Sequence, residues 1–142
     1  MTYHLAVFAL YLRQMSVVLY KLKEWSMVMQ QAMLFDQLDE EAQRRAVQSF
    51  LQFYLNRFRT NSLEILSAYP VQYEMEQVNH DVVLNQSRQP EELVNQLVAH
   101  DRSLVSRIIS ALNQGFMSNG ALSNGTWESW HEAQHDQLAS GL

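Results

Sequence analysis

Cysteine is absent from the 142 residues. That excludes a disulfide framework, a thiolate metal cluster and a cysteine nucleophile, and it fits a reducing, cytoplasmic setting. Lysine is almost absent, with only Lys21 and Lys23. The formal charge is -5 and the pI about 5.4. Nucleic-acid binding runs on clustered cations that displace counterions from phosphates, so no nucleic-acid partner is expected. Glycine and proline are scarce, four and two in all, and they stand where helices start and stop. No segment alternates polar and apolar residues with period two, so strands are not expected. No Gly-x-Ser-x-Gly turn, glycine-rich phosphate loop or supported Ser/His/Asp set occurs, which makes enzymatic activity improbable.

Amides and apolar surface are what the chain has instead. Fifteen Gln stand against ten Lys plus Arg, and charged residues reach 18% where about 25% is usual. Neutral amides cost less to desolvate than charges, so such a surface suits contact with other protein. The first helical stretch, Tyr3 to Phe35, carries apolar residues in every direction around its axis. Leu5, Phe8, Leu10, Leu12, Met15, Val18, Leu19 and Leu22 are the main ones. A helix apolar all round is enclosed in a larger core, by a second chain or by lipid. Arg13 and Gln14 interrupt the run of ~20 apolar residues that a span needs, and no basic residue precedes it as in a secretory signal. A membrane role is therefore not expected, and these eight residues are the candidate protein contact. Trp127 and Trp130 are a second one, because aromatic anchors are enriched at interface centres.

At 142 residues one domain is expected over the whole chain. Asp36, Asp39, Glu40 and Glu41 open a second long helix. Its apolar positions Val47, Phe50, Leu51, Tyr54, Phe58 and Ile65 carry it to about Ala68, before Pro70. A short helix with the stripe Val71, Met75, Val78 and Val82 follows. Pro90, Glu91 and Glu92 start a fourth, which runs without a break along Leu93, Leu97, Leu104, Ile108 and Leu112 to a stop at Gly115. The two Ser-Asn-Gly runs make 115–125 a flexible loop. Thr126 caps a short last helix, and the tail 140–142 frays. The expected fold is all-α, an antiparallel bundle of four to five helices.

Glu128, His131 and His135 fall at spacings of three and four on one face of the last helix. They form the one compact candidate metal set, for Fe or Zn, if other helices add ligands. The bland alternative is a solvated polar face opposite the tryptophans. The helix order, two long helices, a short connector and two more, resembles the Dps branch of the ferritin-like proteins. That resemblance is one of layout and implies a metal-binding bundle. Its paired histidines and Asp/Glu pair have no counterpart here: Met15 to Met33 holds no histidine, and Gln52 to Ile65 holds one carboxylate. No ferroxidase residues follow from it. The expected function is non-enzymatic protein–protein interaction or assembly, as a homo-oligomer or adaptor subunit without a cofactor. The ferritin-like metal bundle is the alternative.

Overall fold

A computed structural model describes the backbone of residues 2–140 and the side chains of 6–22 and 32–138. The protein is all-α. Its helices are α1 (Thr2–Gln31), α2 (Glu40–Arg59), α3 (Gln72–Leu84), α4 (Pro90–His100), α5 (Arg102–Ala111) and α6 (Trp127–Ser140). Short 3-10 turns lie at Phe35–Gln37 and Leu66–Ala68. The chain divides into two units, Met1–Ala32 and Met33–Leu142. The first is the single helix α1. It is shorter than its sequence pattern, because Phe35 leaves the helical line and is buried in the core of the second unit.

The second unit is built on α2. Asp39 caps it, with Oδ1 accepting the Ala42 N–H at 2.8 Å. Glu40 and Glu41 in the first turn and Arg57 and Arg59 in the last complement the helix dipole. Ala46, Val47, Phe50, Leu51 and Tyr54 recur at helical spacing and are wholly buried. Helices α4, α5 and α6 pack on α2, and α3 packs on α4 and α5. An edge-to-face contact of 5.0 Å joins Phe50 to Trp127, and the Tyr54 hydroxyl donates to Asn79 Oδ1 across to α3 at 2.5 Å. Burial pushes the Tyr54 phenol well above its ordinary value.

The second and fourth helices also differ from expectation. The second helix stops at Arg59, not Ala68, because Asn61 turns left-handed with φ 53°. The Ser62 N–H then reaches Arg57 O at 2.8 Å and the Asn61 N–H reaches Phe58 O at 3.2 Å. These are the paired bonds of a Schellman stop, with asparagine in the place glycine usually takes. The fourth helix is two helices, α4 and α5, broken at Asp101 (φ -113°, ψ 17°). Its N–H still bonds Leu97 O and its carbonyl accepts from Val105, so Asp101 keeps both of its own backbone bonds at the bend.

The segment 115–125, expected to be a flexible loop, is tied down. Phe116 and Met33 exchange N–H···O bonds of 2.8 and 2.7 Å, Met117 bonds Ala121, and Ser123 bonds Gly115. Phe116 is buried against Phe35 and Trp127. Asn113, not Gly115, takes the left-handed stop after α5. The α6 cap is as the sequence suggests, Thr126 Oγ1 accepting the Ser129 N–H at 3.1 Å. Helix α6 continues through Ser140, and Gly141 and Leu142 of the expected frayed tail lie outside the described residues.

Gly120 fastens this segment to α2. Its φ is +93°, and a Cβ built there falls 2.2 Å from the carbonyl oxygen of Ala42, inside the first turn of α2. A side chain is excluded both by backbone conformation and by rigid backbone contact. Gly120→Ala is expected to destabilise the protein by about 2–4 kcal/mol, read as a lowered urea midpoint with unchanged m-value, whereas Gly115→Ala costs less than half as much.

Candidate functional site

Three places are candidates for function, and the first is α1. Every described side chain from Ala6 to Leu22 is exposed. Phe8 and Leu10 are each 60% exposed, and Leu12, Met15, Val18, Leu19 and Leu22 also lie open. Between Ala6 and Leu22 the formal charges are Arg13 and Lys21 alone. Val7, Val17 and Tyr20 are exposed as well, so the apolar surface has no single face. Leu5, the remaining member of the predicted contact set, has its side chain outside the described residues. Among the described residues no helix is long and apolar enough to cross a membrane.

The second place is α6. Trp127 and Trp130 are 5% and 8% exposed, packed with Phe50, Phe53, Phe116 and Tyr69. They anchor this helix to its own core and leave little surface for another molecule. Two members of the predicted metal set are engaged by other partners. Glu128 forms an ion pair with Arg57 of α2. His131 is buried, with its ring edge-on to Phe53 at 5.7 Å and Nε2 3.3 Å from Ser62 O. His135 is exposed and, with His131, Glu64 and Leu138, borders a cavity of about 410 Å³. Among the described residues no three His, Asp or Glu side chains come together to hold a metal ion. His131 is thus a core histidine held by packing and one backbone oxygen.

The third place was not singled out by sequence: a carboxylate pair formed where α3 meets the α4–α5 bend. Asp101 is 5% exposed, and its carboxyl lies beside that of Asp81 of α3. Both border a cavity of about 260 Å³ with Asn85, Gln96, Leu97 and His100. Burial first, and then the hydrogen bond and negative charge of Asp81, push the Asp101 carboxyl up to about 7. A signal for it existed. Asp101 continues the spacing of Leu93 and Leu97, an ionisable group set on a buried stripe.

Comparison of the chain with known protein families, curated proteins and solved structures finds no match.

The Asp101 shift carries a definite sign. A carboxyl that titrates near 7 when folded and near 4 when unfolded keeps its proton longer in the folded state. Its contribution is fully present below about pH 4 and is lost as pH rises through 7. In buffer containing EDTA, stability is expected to fall by an amount on the order of 2 kcal/mol between pH 5 and 8. Asp101→Asn, which keeps the shape without titrating, should flatten that slope in urea titrations at matched ionic strength.

Proposed function

We propose that this chain is a non-enzymatic helical assembly protein in which α1 is the contact surface and the surface it meets is α1 of further copies. One observation carries this reading: Phe8, Leu10, Leu12, Val18, Leu19 and Leu22 are all more than half exposed on a helix of 30 residues. Such a helix is ~45 Å long. Contiguous apolar patches of more than a few hundred square ångströms mark sites of interaction, and an exposed strip of this length calls for cover.

The distribution of the apolar groups favours more than two copies. A two-stranded coiled coil buries one stripe, the a and d positions of each heptad. Here Val17, Val18, Leu19 and Tyr20 are consecutive and all exposed, so a single neighbour would leave the far side wet. Several helices around a common axis cover every direction. Arg13 and Lys21 can extend their charges past the apolar contact while their stems pack within it. A cytoplasmic location belongs to the same proposal and rests on the absence of cysteine.

Light scattering of the full chain coupled to gel filtration tests this. The expected result is a mass at least three times 16.6 kDa that drops to the monomer in Leu10→Asp/Val18→Asp, with helical circular dichroism retained. A wild-type monomer at high concentration would overturn the proposal. So would flotation of the protein with phosphatidylcholine vesicles, which would assign α1 to lipid.

A further inference from the structure

Hydrogen-bond acceptors without donors gather at the α4–α5 bend. Asp101 is nine-tenths buried or more, and its Oδ2 has no hydrogen-bond partner. The amide of Gln96 on α4 adds a second orphan. Asn85 Nδ2 donates to the backbone oxygen of Asp81 at 2.7 Å, so Asn85 Oδ1 must be the acceptor of Gln96 Nε2 at 3.0 Å and of Arg88 Nε at 3.4 Å. That network fixes the orientation of the Gln96 amide. Its nitrogen is spent on Asn85, and its oxygen, Oε1, is buried with no donor. Asp81, whose carboxyl acts on that of Asp101, borders the adjoining cavity with Gln96.

One proton shared by the two carboxyls relieves the repulsion between them and does nothing for Gln96 Oε1. A cation satisfies all three. We propose that Asp81, Asp101 and Gln96 Oε1 form a binding site for one hard divalent cation, with Ca²⁺ the best match. Two carboxylates with a neutral amide carbonyl and no nitrogen or sulfur is the donor chemistry of Ca²⁺, which accepts irregular oxygen sets completed by water. Softer metals prefer imidazole or thiolate. His100 borders the cavity with an exposed ring and is not needed as a ligand. Asn85 Oδ1, already accepting two bonds, is a positioning group for Gln96. The site draws on α3, α4 and the residue that joins α4 to α5, so an occupied site would clamp the bend.

The test uses the full chain, stripped with EDTA and exchanged into chelator-free buffer at pH 8. CaCl₂, MgCl₂ and MnCl₂ are titrated separately by calorimetry, and thermal unfolding is followed at each concentration with KCl at matched ionic strength as control. Expected is saturable binding of Ca²⁺ at one ion per chain, with a Kd of roughly 10⁻⁵–10⁻³ M as for sites of few charges, and a melting temperature that rises with Ca²⁺ but not with KCl. Asp81→Asn, isosteric and only half-buried, should weaken binding at least tenfold. Gln96→Leu should weaken it severalfold while circular dichroism stays unchanged. Absence of saturable binding of all three cations up to 5 mM, on the order of the weakest natural calcium sites, would overturn the proposal and leave the pair to its proton. Binding that persists unchanged in Asp81→Asn would overturn it as well.

Discussion

The second unit depends on one buried stripe. Ala46, Val47, Phe50, Leu51 and Tyr54 are wholly enclosed, and from this stripe Phe50 meets Trp127 of α6 edge-to-face and Tyr54 meets Asn79 of α3. Complete burial of five consecutive stripe positions means that α2 has no spare side on that face. Close-packed interiors tolerate little change in volume, so the tightness of α2 in turn dictates where 115–125 runs and why Gly120 must lie flat on Ala42.

Polar groups inside this core are few, and each marks a place where the helices change direction or partner. Tyr54 spends its hydroxyl on Asn79, which registers α3 against α2. His131 reaches the backbone at Ser62, just past the Schellman stop that ends α2. Asp101 sits at the bend between α4 and α5. Buried polar groups cost free energy unless they are paired, and the first two are paired within the protein. Asp101 Oδ2 and Gln96 Oε1 are not, and neither are Arg57 Nε and Trp130 Nε1 where α2 meets α6; at the bend both unpaired atoms are acceptors.

Helix class and the α2, α3 and α4 starts were legible in the sequence because they rest on local rules: spacing of apolar residues, Asp39 as a cap, Pro90 at a first position. The early end of α2 had its signal in Thr60-Asn61-Ser62, where an asparagine supplies the left-handed residue that glycine supplies elsewhere. The bend at Asp101 was hidden by the continuous line of Leu93, Leu97, Leu104 and Ile108. Both halves stay apolar on one face, so periodicity alone reports one helix. Trp127 and Trp130 read equally well as anchors for another molecule or for their own core, since an aromatic pair on a short helix suits either.

Composition and spacing by themselves determined that the protein is helical, that α1 is apolar in every direction, and that neither thiol chemistry nor a basic surface is present. These are properties of residue type and of neighbours three or four apart. Tertiary structure decided which of the acidic and imidazole groups meet. Glu128 went to Arg57, His131 to Phe53 and Ser62, and Asp101 found Asp81 twenty residues earlier in the chain. Contacts between distant segments depend on how helices bend and cross, and the bend at Asp101 is set by packing that no local pattern encodes.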